Sequence, residues 1–272
     1  LPIIEAHILA GFVREWVESE RRARSVLSAS DPLYQGRVFR GSIMNFQASS
    51  RWRSAYPEAM IGILAMGDVA NPAQHPGLEA RKAELEARLR DRYGSASKSE
   101  LRSNPVLQAY ASYYRAFGKT YHVQLQLESV VYKGKSIPSV AALVEAMFVA
   151  ELEDMMLTAG HDLDSVQGDM AVDAATGTET YFMMNGQPQS LKQDDMFIGD
   201  EAGVLSSIIY GPANRARIVP ETQRVIFTVY APPGIPADGL QTHLGRLVEL
   251  VQLIAPGSQV ERQDVLFARE PG

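Results

Sequence analysis

Apolar residues along the chain recur every third or fourth position in some stretches and every second position in others. Ile4, Ile8, Phe12 and Trp16 are spaced i, i+4 and predict an opening helix, with Arg21, Arg22 and Arg24 near its end. Ile61-Gly-Ile-Leu-Ala-Met66 is a short continuous apolar run and predicts a buried strand. Leu78, Leu85, Leu89 and Tyr93 form one stripe of a surface helix, supported by the i, i+4 pairs Glu84–Arg88 and Glu86–Arg90. Asn104 as N-cap and Pro105 at the first helical position predict a helix to about Phe117. Beyond Pro138, Ser139 is expected to cap a strong helix whose core positions are Val140, Val144, Phe148 and Leu152, joined by Leu143, Met147, Met155 and Met156.

From Gly168 the period shortens and turn residues recur at Thr176-Gly177, Asn185-Gly186, Gly199-Asp200 and Gly211-Pro212. Strands are expected near 169–174, 179–185, 203–210 and 224–230. Leu240, Leu244, Leu247, Val248 and Val251 predict a last amphipathic helix, and a strand near 259–267 follows. Helices first and strands clustered later argue for an α+β fold rather than a doubly wound parallel sheet. The whole of 1–272 is read as a single domain, with no internal repeat.

Hydrophobic residues make up 46% and charged residues 21%, an ordinary globular composition. There are no cysteines, which excludes disulfides, thiolate metal sites and a cysteine nucleophile. The first sixteen residues carry Glu5, His7 and Arg14 within their apolar stretch and read as neither signal peptide nor membrane span. A soluble, cytoplasmic protein is expected. The net charge of −6 is unevenly spread: residues 1–135 hold 19 Lys/Arg against 13 Asp/Glu, and residues 136–272 hold 7 against 19. A polyanion is expected to meet the N-terminal half, or the arginines near 215, before the acidic segment 145–201. Solvated charged faces are the plainer reading of the same pattern.

Gly134-Lys135-Ser136 lacks the earlier glycine of a phosphate-binding loop, since Ser129 stands there. Neither a dinucleotide fingerprint, a serine-hydrolase elbow nor a zincin motif is present. His161-Asp162-Leu163-Asp164 is the densest polar cluster. It admits three readings: a divalent-metal site, an Asx turn with His161 satisfied by backbone groups, or a histidine lining a polar pocket. Arg37, Arg40, Arg51 and Arg53 interleave with Phe39, Phe46, Trp52 and Tyr56, a pattern that suits nucleotide stacking or a basic loop with its aromatics packed inward.

One long stretch resembles a known family. Tyr113-Tyr-Arg-Ala-Phe-Gly-Lys119, Leu127-Glu-Ser129, Lys133-Gly-Lys-Ser-Ile-Pro138 and Leu143-Val-Glu145 are similar to segments of free-standing B3/B4 domain proteins. These are relatives of the editing module in the β subunit of bacterial phenylalanyl-tRNA synthetase. The similarity continues through His161-Asp-Leu-Asp164, Gly168-Asp169, Gly177-Thr-Glu179, Gly186, Asp200 with Gly203, Tyr210-Gly-Pro212, Pro220-Glu-Thr222 and Val225 to Val229. It covers about 55–235, leaving a helical and basic extension at 1–54 and a helix and strand at 236–272.

The resemblance implies a mostly antiparallel or mixed sheet flanked by helices, and a pocket for the aminoacyl end of a mischarged tRNA. It implies hydrolysis in trans, which supplies discrimination that a synthetic site cannot. It implies no cofactor, no metal, and tRNA rather than DNA or membrane as partner. His161 resembles the family's pocket histidine, Asp164 its turn aspartate, Gly177 and Glu179 its Gly-Glu turn, and Thr222 its threonine before the last pocket strand.

The chain departs from the synthetase pattern at Thr228, where a tyrosine-recognising glutamate would fall, at Met147-Phe148 in place of Thr-Asn, and at Ile208–Ala213 in place of a glycine-rich stretch. Tyrosine specificity is therefore not carried over. By the resemblance, His161 orients or deprotonates water with an imidazole poised near neutrality, and amides around Gly211 serve the oxyanion. Glu179, Thr228, Thr222, Met147 and Tyr210 are candidate contacts to the aminoacyl group, and Arg215, Arg217, Lys119, Arg51 and Arg53 to the tRNA. The alternative is a module that binds tRNA, an amino acid or a small metabolite without cleaving it. Oligomeric state is left open.

Overall fold

The computed structural model describes residues 45–269. The predicted opening helix, with Arg37, Phe39 and Arg40, lies outside them.

Two sheets hold the strands that matter for the site. One has the order β11-β2-β10-β3 and is antiparallel throughout, from β2 (Met60–Gly67), β3 (Leu157–Asp162), β10 (Val225–Ala231) and β11 (Gln259–Phe267). The other has the order β1-β4-β7-β8-β9, from β1 (Phe46–Ala48), β4 (Met170–Ala174), β7 (Met196–Asp200), β8 (Gly203–Ser207) and β9 (Gly211–Pro212), with only β1 and β4 parallel. A short hairpin, β5 (Thr180–Phe182) with β6 (Pro188–Ser190), stands apart. The helices are α1 (Ser50–Ala55), α2 (Pro76–Tyr93), α3 (Lys98–Arg102), α4 (Pro105–Ala116), α5 (His122–Lys133), α6 (Ala142–Asp154) and α7 (Ala237–Ile254). The expected α+β class is what is observed.

Every residue of β2 is buried, as a continuous apolar run in a central strand should be. Residues 142–152 of α6 are likewise buried all round, because α6 is enclosed by α2, α5, α7 and β3. Gly160 lets α6 approach β3 closely: a Cβ there would sit 2.6 Å from Met147 Sδ and 2.9 Å from Ile218 Cδ1. On the same side of the sheet, a Cβ at Gly62 would touch Leu240 and Leu244 of α7.

Several expectations need correcting. Ser139 does not cap α6. The N-cap position is Ala141, which makes no side-chain cap bond, and the cap comes from far away in sequence. Asn71 Oδ1 accepts from Leu143 N at 3.0 Å, and the Pro72 carbonyl accepts from Ala142 N at 2.9 Å. Ser139 Oγ instead accepts from Lys82 Nζ. The strand expected at 179–185 is only β5, and that at 203–210 ends with β8 at Ser207. Gly134, of the rejected phosphate loop, is the left-handed C-cap of α5. Phe46 and Trp52 pack inward, with Trp52 Nε1 against Met196 Sδ at 3.2 Å.

Candidate active site

His161 stands on β3, an edge strand of the four-stranded sheet, rather than in the loop its polar neighbours suggest. Directly opposed residues of paired strands share a face. The register Ile226↔His161, Thr228↔Ala159 and Tyr230↔Leu157 therefore puts His161, Thr228 and Tyr230 on one face of the sheet. That face looks across to β8 of the second sheet. His161 Nε2 lies 3.2 Å from Ser206 Oγ, and Ser206 Oγ lies 2.8 Å from the Tyr230 hydroxyl. Tyr230 donates its single proton to the Ser206 carbonyl at 2.8 Å, so the Ser206 hydroxyl is left to donate to the tyrosine oxygen or to Nε2. The chain His161–Ser206–Tyr230 thus couples the two sheets.

All of these side chains are buried, His161, Ser206, Thr228 and Tyr230 completely. Burial depresses the His161 imidazole to about 4, the charge of Arg215 adding to the effect and the Ala216 backbone and Asp200 opposing it. The ring is therefore neutral at pH 7, not poised near neutrality as the resemblance led us to expect. It is suited to accept a hydrogen bond and hold a group in place more than to remove a proton from water. Nδ1 has no hydrogen-bond partner of normal geometry among the described residues. The Asx turn expected beside it does form, closed by Asp162 Oδ1 accepting from Asp164 N at 3.0 Å, but the ring is held by a hydroxyl rather than by that turn.

The remaining candidate residues fall into separate groups. Met147 packs on the opposite face of β3, against Gly160, and so does not share a surface with His161. Thr222 Oγ1 donates to Asp162 Oδ2 at 2.7 Å and accepts from Val219 N at 2.9 Å, tying a turn to the end of β3. Glu179 closes its own turn: its carboxylate accepts from the amides of Thr176, Gly177 and Thr178. Burial alone would raise this carboxyl, yet those bonds hold it below the usual range. Asp164 pairs with Arg224 at 3.2 Å.

Tyr210 and Lys119 are brought together, with the ammonium 5.7 Å from the ring centroid. Gly211 has a φ of +84°, and its carbonyl accepts from the Tyr181 hydroxyl at 2.8 Å. Arg215 forks onto Asp200, at 3.0 Å and 2.6 Å, and onto the Gly203 carbonyl. Arg217 folds back on Asn214, and Arg53 donates to the carbonyls of Phe267 and Ala268, while Arg51 is exposed.

A second buried chain was missed in the sequence. Thr158 Oγ1 lies 2.8 Å from His243 Nε2, and His243 Nδ1 lies 3.0 Å from Asp154 Oδ2, which Arg246 also holds at 2.8 Å. Burial would raise Asp154, but its bonds from His243 and Arg246 keep it below the usual range. Both ring nitrogens are engaged on the helix-facing side of β3, so the chain clamps α6, α7 and β3 together. Ser206, the hydroxyl on His161, was also missed: it is 45 residues away and carries no local motif.

Among the described residues no helix is long and apolar enough to cross a membrane, and no group of His, Asp and Glu is arranged to hold a metal ion. No protein-family profile and no curated protein matches the chain in sequence. An N-terminal fragment of the phenylalanyl-tRNA synthetase β-subunit from Pyrococcus horikoshii is similar to it in structure, with a TM-score of 0.44 and 12% identity. The match covers 85% of this chain and 55% of the fragment, so the chain spans about half of that fragment's length.

Proposed function

We propose that the protein is a B3/B4-like module that hydrolyses mischarged aminoacyl-tRNA in trans, with His161 at the centre of the site. The observation that carries this reading is the neutral imidazole of His161, fixed through Nε2 to Ser206, its Nδ1 making no hydrogen bond of normal geometry among the described residues and the Ala216 backbone lying beside the ring. An aminoacyl ester is already activated, so its hydrolysis needs an oriented water and stabilisation of the oxyanion more than a strong nucleophile. In this reading His161 orients the water, Ser206 and Tyr230 fix the ring, and Thr228 contacts the aminoacyl group from the same face. The Gly211 amide is the candidate for the oxyanion and Tyr210 for an outer contact, while Met147 lies across β3 and Glu179 and Thr222 are held in their own turns. Lys119 and Arg51 are the cations best placed to meet phosphates, since Arg215, Arg217 and Arg53 already bind groups of the protein.

The same spent arginines favour a second reading, a non-catalytic pocket for an amino acid or small metabolite. A deacylation screen over tRNA charged with each amino acid separates the two. Turnover of one ester or a small set supports the first. Turnover of none, with binding of a free amino acid that is insensitive to salt between about 50 and 200 mM, overturns it.

A further inference from the structure

Asp195 is wholly buried just before β7, and no step proposed above uses it. Its two oxygens accept from hydroxyls on different elements: Tyr113 of α4 at 3.1 Å and Ser207 of β8 at 2.5 Å. Each hydroxyl is itself an acceptor. Tyr113 accepts from Met196 N at 2.6 Å, and Ser207 Oγ accepts from both Ile209 N, at 3.1 Å, and Tyr210 N, at 3.0 Å. A serine oxygen has one proton and two lone pairs. With two amides on its lone pairs, Ser207 can only donate to Asp195. The arrangement is complete for a carboxylate. A carboxylic acid meets a donor on either oxygen, Tyr113 at Oδ1 and Ser207 at Oδ2, and with its proton on Oδ2 the clash of donor against donor is relieved if Ser207 gives up one of its amides.

We propose that Asp195 is a proton-operated positioning residue: ionised, it locks the 207–211 turn through Ser207, and protonated, it releases the Ile209 or Tyr210 amide. The turn it governs carries Tyr210 and Gly211, so the face bearing Lys119 and Tyr210 changes with pH. Burial opposes the ionised form that the donor count favours, and the carboxyl is pushed up to about 7 against the bonds from Ser207, Tyr113 and the Ile209 backbone and the charge of Lys192. The titratable groups that face Asp195 are Lys192, whose charge favours ionisation, and Tyr56, Tyr113, Tyr114, Tyr181, Tyr210 and Tyr230. Burial raises all six phenols, so none loses its proton in the range where Asp195 titrates. The device stands whether or not the protein hydrolyses an ester.

The test is an amide NMR titration of the full chain between pH 5 and 9. The Ile209 and Tyr210 amides of the wild type are expected to shift together with a midpoint near 7. In Asp195→Asn, which cannot ionise, both shifts are lost. In Ser207→Ala the carboxyl still titrates, read from its own carbon resonance, while the Tyr210 amide no longer follows it. Three results overturn the proposal: no titration of either amide in the wild type, a midpoint unchanged in Asp195→Asn, or a Tyr210 response that survives Ser207→Ala. The wild-type and Ser207→Ala arms decide the matter even if Asp195→Asn does not fold.

Discussion

Lys82 and Glu145 form a buried ion pair between α2 and α6, with Nζ 2.8 Å from Oε2 and side-chain exposures of 4% and 0%. Glu145 Oε1 also accepts from Val140 N at 2.7 Å, so the pair fixes the entry to the helix that leads into β3 and His161. Lys82→Met removes the cation and leaves Glu145 buried with one amide. Breaking such a pair from one side costs about 3–5 kcal/mol, a large part of a typical total of about 5–15. Glu79, which the Lys82 hydrogen bond holds below the usual range despite an opposing effect of burial, is 44% exposed, and water replaces its partner at little cost. Adding Glu145→Gln removes the stranded charge while keeping an acceptor for Val140 N, so the double variant should regain most of the loss. Urea unfolding measures this. With a slope of about 2 kcal/mol per M, the single variant's midpoint falls by about 2 M and the double variant's by less than half of that. A Lys82→Met cost under about 1 kcal/mol, or a double variant less stable than the single one, would show that the pair does not hold α2 to α6 in this way.

His161 is depressed to about 4 from an ordinary 6.5, so the unfolded chain binds a proton there that the folded chain does not. Its contribution is present above about 6.5 and is lost as pH falls toward 4, up to about 3 kcal/mol, and unfolding curves of His161→Gln over that window should be flatter than the wild type's by that amount. Thr158→Val leaves His243 Nε2 without its hydroxyl and is expected to cost about 1–3 kcal/mol in a thermal or urea melt, where Thr158→Ser costs much less. Arg53→Ala frees the carbonyls of Phe267 and Ala268, and hydrogen exchange should quicken at the end of β11 while β2 stays protected.

What the sequence made legible was what its neighbours along the chain decide. The apolar run of β2, the Asn104 cap on Pro105, and the stripes of α2 and α7 all appear where periodicity and capping put them. Asn104 Oδ1 accepts from Val106 N, as an N-cap should. β3 was not legible because Leu157-Thr-Ala-Gly-His-Asp162 has neither alternation nor a β-branched run. Its strand conformation is imposed by β10 on one edge, α6 behind and β8 in front. The capping of α6 by Asn71 lay beyond local reading for the same reason, since 72 residues separate the cap from the Leu143 amide. For the candidate site, His161 stood out in sequence by its polar neighbours, yet those neighbours belong to a turn, and its real partners Ser206 and Tyr230 come from other strands. Glu179 and Arg215 stood out by type and position. Their hydrogen bonds within the fold could be read only from the fold.

The proposed role of His161 is to hold water at the working centre of an aminoacyl-ester hydrolase. Its most direct test is single-turnover deacylation of the ester that the screen identifies, by the wild type and by His161→Gln shown to be folded by circular dichroism. A loss of about a hundredfold or more is predicted, the usual scale for a positioned catalytic side chain. A folded His161→Gln within about threefold of the wild type would rule that role out.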